Sequence, residues 1–311
     1  MKTRHGLFFL LVGLIILLIG VSTIQPNVFL NNNHSGSFNA ALSTNPANPD
    51  LLNVGIPITG QSYTGSTSYY YKTNGSALSS RYSVIWVYPG TRNCNLYFSN
   101  NNFTTYMRNS TRAGNSVVEW VVFRPSSSQY LYARVTNAGG LTSTGASIEW
   151  EDSVESLTTT TWKSKSLSTA NAIEVYGLSL VTTFNYTIHL VVPGGANFDL
   201  YLYSLAPGAA ANLTGFLRRS NSLTVGAPET IAGFIPSAKG PFAVLVVRES
   251  GTGAYNLTLE ATRIGGGSPQ TGPLNLWLFP AIEIPVFFGV VFGVVGIFYL
   301  HRYLKNRKRY W

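Results

Sequence analysis

One motif occurs twice in the chain, and it limits the architectures available more than any other feature. Residues 82–98 read YSVIWVYPGTRNCNLYF, and residues 186–202 read YTIHLVVPGGANFDLYL. At a single offset of 104, seven positions are identical: Tyr82/Tyr186, Val87/Val191, Pro89/Pro193, Gly90/Gly194, Asn93/Asn197, Leu96/Leu200 and Tyr97/Tyr201. Each copy reads as a strand, a Pro-Gly turn and a second strand, so the motif is expected to form a repeated hairpin. Proline presets φ for turn position i+1, and glycine tolerates the positive φ of a type II turn at i+2. In the second strand Phe198, Leu200 and Leu202 alternate with Asp199, Tyr201 and Tyr203, which predicts one apolar face and one half-polar face. A repeat of this period predicts two similar domains in tandem, not a solenoid of short units.

Charge and hydropathy place the ends of the chain apart from its middle. Of 311 residues, 45% are hydrophobic and 11% charged, a balance that leans toward membrane proteins. The net charge of +9 is uneven: residues 25–275 hold fourteen basic and eleven acidic residues, whereas Lys2, Arg4, Arg302, Lys305, Arg307, Lys308 and Arg309 flank the apolar segments. That is the distribution of a membrane protein and excludes a nucleic-acid-binding face. Residues 1–24 contain the apolar run 7–24 and read equally as a signal peptide or an N-terminal membrane anchor. A second apolar segment, 278–300, has Trp277 and Phe279 at one boundary and Tyr299 and Tyr303 at the other, as expected of a transmembrane helix. Gly289 and Gly293 form a small-xxx-small pattern that would allow close helix packing. Positive charge beside both segments predicts residues 25–275 outside the cell and the basic tail 301–311 in the cytoplasm, with membrane lipid as one partner.

Between these segments the chain is rich in short alternating runs. Residues 25–55 read as an extended lead-in, 56–152 as a first β-sandwich, 153–264 as a second and 265–277 as a linker. A late match, Phe123-Arg-Pro-Ser with Phe234-Ile-Pro-Ser, requires an offset of 111, so seven extra residues enter the second copy, assigned to the Ala/Gly-rich loop 205–215. The expected fold is mainly β: two tandem antiparallel β-sandwiches flanked by N-terminal and C-terminal hydrophobic helices. The second sandwich is expected to fold on its own.

Residues Phe198–Tyr203 and the closing run Gly251-Thr-Gly-Ala-Tyr255-Asn-Leu257 resemble the prokaryotic pre-peptidase C-terminal domain. The first copy departs from that pattern, with Asn95 in place of Asp199 and a degenerate closing segment at 141–150. The resemblance implies a β-sandwich module of exported proteins that accompanies a catalytic domain or an envelope scaffold without itself being catalytic.

The chemistry of the middle region is sparse. It has two histidines, His34 and His189, and lacks G-x-S-x-G, H-E-x-x-H, a Cys/His cluster and a phosphate-binding glycine loop. No catalytic residue and no cofactor is assigned. The lone Cys94 excludes an internal disulfide and aligns with the core-facing Phe198, which predicts a buried, unreactive thiol. No metal is assigned: Glu149, Glu151 and Asp152, next to Glu155, read as a solvated linker, and Asp199 near Asn197 as an outward strand residue. Calcium coordination by Asp199, Glu149, Glu151 and Asp152 is the alternative. Sequons begin at Asn33, Asn74, Asn102, Asn109, Asn185, Asn212 and Asn256, all between the apolar segments, consistent with a glycosylated surface. Tyrosines such as Tyr70 and Tyr201 are candidates for stacking on sugars or a partner protein. The sequence therefore reads as a membrane-anchored cell-surface protein with a structural, adhesive or accessory role through a protein partner or self-association. A carbohydrate-binding module is the alternative reading, and an envelope enzyme the third.

Overall fold

The computed structural model describes residues 42–265. Both apolar segments, Asn33, His34, Gly289, Gly293 and the basic tail lie outside the described residues. Among those described, no helix is long and apolar enough to cross a membrane.

The described chain is mainly β, with strands in four sheets. The first sheet has the order β1 (Asp50–Leu52), β3 (Ser68–Thr73), β8 (Tyr132–Asn137), β5 (Cys94–Ser99) and β6 (Arg108–Ser110). The second has β14 (Ala210–Ala211), β7 (Glu119–Phe123), β4 (Ser83–Tyr88), β9 (Ser143–Asp152) and β2 (Ile58–Tyr63). The third has β11 (Ile173–Leu180), β17 (Gly240–Ser250), β13 (Asn197–Tyr203) and β15 (Arg218–Ser220). The fourth has β10 (Lys163–Leu167), β18 (Gly253–Arg263), β12 (Phe184–Val191) and β16 (Glu229–Phe234). β1 and β3 pair in parallel and isolated parallel bridges join Val54 to Trp150 and Ser156 to Gly177, whereas ladders such as β11 with β17, β4 with β9 and β5 with β8 are antiparallel.

Three apolar cores separate the four layers. Leu96, Phe98, Ile85, Val121 and Trp150 fill the space between the first and second sheets. Phe198, Leu200, Ile188, Val246 and Tyr255 fill that between the third and fourth. The third core lies between the two sandwiches, where Val84, Trp86, Trp120 and Val122 meet Val175, Tyr201, Tyr203, Leu245 and Val247. The repeats are thus joined by a third buried apolar cluster.

The repeated motif is not a hairpin. Its first strand pairs within one sheet (β4 with β7 and β9; β12 with β16), while its second pairs within the opposite sheet (β5 with β6 and β8; β13 with β15 and β17). The Pro-Gly segment is an arch that carries the chain across the core from sheet to sheet. Gly90 takes φ 77°, and a Cβ there would stand 2.1 Å from the Thr144 carbonyl oxygen. Only glycine lets the arch approach β9 this closely. In the second copy the turn closes differently, the Ala196 amide donating to the Pro193 carbonyl at 3.0 Å with both Gly194 and Gly195 at ordinary φ.

The ladders also correct the alignment. Val87 pairs with Glu119 and Leu190 with Glu229, so those two strand residues are equivalent, as are Trp86 and His189. Leu96 pairs with Ser110 and Leu200 with Ser220. The offset is therefore 103 before the arch and 104 after it, the second arch being longer by one residue. His189 stands where Trp86 stands and not where Ile85 does. Six of the seven extra residues lie between β13 and β15, and the seventh forms a bulge in β16 at Gly233, φ 67°. A one-residue slip moves every side chain to the other face, which is why the identities Tyr82/Tyr186 and Val87/Val191 do not mark equivalent positions.

The longer loop between β13 and β15 has a structural task. Its Ala210 and Ala211 pair with Phe123 and Val122 as an added edge strand of the first repeat's sheet. Arg108 Nε donates to the Ala210 carbonyl at 2.9 Å, and Arg124 Nη1 to the Leu205 carbonyl at 2.9 Å. The second repeat thereby straps the first.

Candidate functional site

The two repeats are joined through non-equivalent faces. By the ladders, the second and fourth sheets correspond, as do the first and third. The second sheet packs on the third, so among the described residues no other sheet covers the outer faces of the first and fourth sheets.

The acids considered for calcium are dispersed, Glu149, Glu151 and Asp199 on the inter-repeat seam and Asp152 on the opposite face of β9. Glu149 lies opposite Trp86 and Glu151 opposite Val84 on β9, both therefore on the seam face. Burial pushes both carboxyls well above the usual range, and the nearby Glu174 raises them further. Asp152, next on the same strand, accepts the Ser83 hydroxyl at 2.5 Å. The run is a buried strand, not a solvated linker. The linker proper is also pinned, the Gly177 amide donating to the Glu155 carbonyl at 2.8 Å and the Leu157 amide to the Gly177 carbonyl at 3.0 Å. Asp199 sits elsewhere in the seam, on β13. It accepts the Tyr201 hydroxyl at 3.1 Å, and burial, followed by the charge of Glu249, pushes it up to about 7. Arg112 of the first repeat reaches Glu249 of the second at 3.0 Å and lies over the Trp120 ring. Among the described residues, no three His, Cys, Asp or Glu side chains converge on one point. Asp199 and Tyr201, expected on an outward half-polar face, are 5% and 1% exposed because the other sandwich covers them.

Each repeat also carries a carboxylate clip between its sheets. Glu119 accepts the Ser110 hydroxyl and the Arg112 amide, the latter at 2.6 Å; Glu229 accepts the Ser220 hydroxyl and the Ser222 amide, the latter at 2.7 Å. Burial pushes Glu119 up to about 7 against those hydrogen bonds.

The outer face of the first sheet is different in kind. Alternation in β3, β5 and β8 turns Tyr69, Tyr71, Leu96, Phe98, Ala133 and Val135 into the core. Their neighbours Tyr70, Lys72, Tyr97, Tyr132 and Arg134 face outward and are half-buried. Tyr70, Arg134 and Tyr97 form one cross-strand row, and Lys72 and Tyr132 the next. The loop after β5 adds two rings. Phe103 fits between Tyr70 and Tyr132 with ring centres 5.0 and 5.2 Å away, and Tyr106 lies 5.6 Å from Tyr97. The Arg134 guanidinium lies 4.1 Å from the Tyr97 ring centre and 4.5 Å from that of Tyr106, and Lys72 Nζ 4.1 Å from that of Tyr130. Asn102 and Phe103 hold φ of 55° and 62°, a left-handed backbone that is rare for a bulky residue. The Ser99 hydroxyl, accepting from the amides of Asn101 and Phe103 at 3.2 Å, holds that loop in place. Tyr70 was legible as an aromatic candidate; the Phe103, Tyr106 and Arg134 contributions depend on loop and ladder geometry.

Cys94 is buried, and burial pushes its thiol up to about 12. His189 is part-exposed on the open face of the fourth sheet, 3.2 Å from the Thr230 hydroxyl and 3.7 Å from Glu260. Asn74, Asn102, Asn109 and Asn256 are exposed, whereas Asn185 and Asn212 are half-buried. The Asn212 amide nitrogen donates to the Asn109 carbonyl at 2.7 Å.

No protein-family model matches the chain, and no curated protein matches it. Distant solved structures share its β character. The pre-peptidase C-terminal domain of collagenase from Bacillus anthracis aligns over 34% of this chain and 93% of its own length, with 14% identity and a TM-score of 0.27. The PBSX exported protein XepA aligns over 66% of this chain and 87% of its own, with 11% identity and a TM-score of 0.25. A fucolectin from striped bass aligns over 65% and 85%, with 8% identity and a TM-score of 0.19. Likeness at this level carries no argument about function.

Proposed function

We propose that the protein is a non-catalytic module of the cell surface, held at the membrane by its apolar segments, that presents the open face of the first sheet to a partner. The observation that carries this reading is the unequal fate of equivalent faces. In the second repeat the face of β11, β13 and β17 is closed by another sandwich, whereas in the first no other sheet among the described residues covers the face of β3, β5 and β8, which bears rings and cations. The basic residues beside the apolar segments support an ectodomain outside the cell and a cytoplasmic tail. A structural, adhesive or accessory role requires no further group than such a face.

The reading is tested on intact cells. Added protease is expected to cleave within 42–265 while an epitope fused after Trp311 stays protected. An accessible epitope overturns the topology, and turnover of peptide or glycan substrates by the purified protein overturns the non-catalytic assignment.

A further inference from the structure

We infer that the open face of the first sheet binds an acidic polysaccharide, its sugar rings lying on Tyr70, Phe103 and Tyr132 and its carboxylates or sulfates on Arg134 and Lys72. The inference rests on the reading of the protein as a surface binding module and names that module's ligand.

Charge is the first argument. No acidic residue stands between Asp50 and Glu119, nor between Glu119 and Glu149. The one carboxylate of the first sheet, Asp50, lies opposite the inward-facing Tyr71 and accepts the Ser43 amide at 2.8 Å. Among the described residues, neither Lys72 nor Arg134 lies within ion-pair distance of a carboxylate. The face is cationic with nothing on it to neutralise the charge, and an anionic polymer supplies what is missing.

Geometry is the second. Arg134 is oriented by two tyrosine rings instead of an acid, and its buried Nε has no hydrogen-bond partner among the described residues. A guanidinium oriented in this way keeps in-plane N–H donors for a carboxylate or sulfate, which it can engage through two parallel bonds. Three rings in edge contact, one of them on a left-handed backbone, offer a ready platform for the C–H faces of sugars. The platform is open and follows a sheet instead of lining a cleft, which suits an extended polymer more than a small molecule.

The chain itself shows what this sheet type carries when its occupant is protein. The ladders place Val175, Leu245, Ala243 and Gly177 where the first repeat has Tyr70, Arg134, Tyr132 and Lys72. At these four positions the protein-covered face is small and aliphatic and the open face has a ring or a cation, while the aromatic pair Tyr201 and Phe216 is kept on the covered face as Tyr97 and Tyr106 are on the open one.

The test uses the full-length chain in detergent, with polygalacturonate as probe and neutral dextran as comparison. Polygalacturonate is expected to bind and neutral dextran not, with affinity falling as salt rises. Arg134→Gln should weaken binding about tenfold, Arg134→Lys less, and Tyr70→Ala or Phe103→Ala several-fold. Arg218→Gln, in a separate cleft lined by Arg124, Arg218 and Lys239, should leave it unchanged. Unaltered circular dichroism separates lost contacts from lost folding, and Arg134→Lys still decides the matter if Arg134→Gln does not fold. The inference is overturned if polygalacturonate does not bind, if binding survives Tyr70→Ala and Phe103→Ala, or if Arg218→Gln weakens it as much as Arg134→Gln. It is equally overturned if Arg134-dependent capture is seen only with phosphatidylserine vesicles or with a crosslinked protein. Failure here with an intact protease-protection pattern leaves the surface-module reading standing; catalytic turnover overturns that reading instead.

Discussion

Tyr97 and Tyr106 of the first repeat set their ring centres 5.6 Å apart with planes at 60°; Tyr201 and Phe216 of the second do so at 5.8 Å and 60°. The ladders make the two pairs equivalent, one member on the strand after the arch and the other on the loop before the next edge strand. Their surroundings differ. The second pair receives Trp120 of the other sandwich 5.3 Å from Tyr201, while the first lies under the Arg134 guanidinium. One backbone device therefore serves as a joint in one repeat and as an open surface in the other. The neighbouring strand decides which, through Leu245 in one case and Arg134 in the other.

Cutting the molecule at the join should break this contrast most severely. Residues 153–264 alone would bare Tyr201, Leu245, Val247, Ile173 and Val175, all buried in the seam, as one apolar patch. The isolated repeat is expected to self-associate in sedimentation and to bind an apolar dye. A monomeric species that unfolds cooperatively would show the seam to be dispensable, as the sequence alone suggested. Within the intact chain, Trp120→Ala should cost about 3–5 kcal/mol in denaturant unfolding, since it empties the seam and removes the indole donor to the Tyr203 hydroxyl at 3.1 Å. Tyr97→Ala, at the equivalent open joint, should cost about 1 kcal/mol or less. Equal losses would refute the contrast.

Protonation offers a smaller and reversible probe. Burial holds Asp199 and Glu119 up at about 7, so between the ordinary carboxylate range and that value the folded chain keeps protons that the unfolded chain has released. Raised acid pKa values contribute stability that is fully present below about pH 4 and is lost as pH rises through about 7. Thermal unfolding is expected a few degrees lower at about pH 8 than at about pH 5, with Asp199→Asn removing part of the difference. A melting temperature that rises over that interval would contradict the assignment.

Much of this architecture was legible, though in a signal that the repeat itself obscured. Strands of the open sheets alternate: Tyr-Ala-Arg-Val-Thr in β8, and Asn-Leu-Thr-Leu-Glu in β18. Strands of the covered sheets run without interruption: Val-Ile-Trp-Val in β4, Trp-Val-Val-Phe in β7 and Phe-Ala-Val-Leu-Val-Val in β17. Continuous runs mark strands buried on both faces, and here they mark the two inner layers. β13 escaped that rule because Asp199, Tyr201 and Tyr203 read as a wet face, whereas tyrosine is equally at home in a buried contact that satisfies its hydroxyl. The arch reads as a hairpin in the sequence because a Pro-Gly turn between strands is compatible with either, and only the pairing partners distinguish them. The slip of the alignment by one residue had the same origin: identical residues on both sides of the arch concealed an extra one within it.

The strap formed by Ala210 and Ala211 has a consequence for the order of events during synthesis. The outer hydrogen-bonding edge of β7 is completed by residues made some ninety positions later, so the first sandwich leaves the ribosome with that edge unpaired and its Trp86–Trp120 face uncovered. Until the second repeat follows, the nascent chain presents a strand able to accept any passing one. The first half of the protein is thus the half that needs protection, and the second half is what ends its vulnerability.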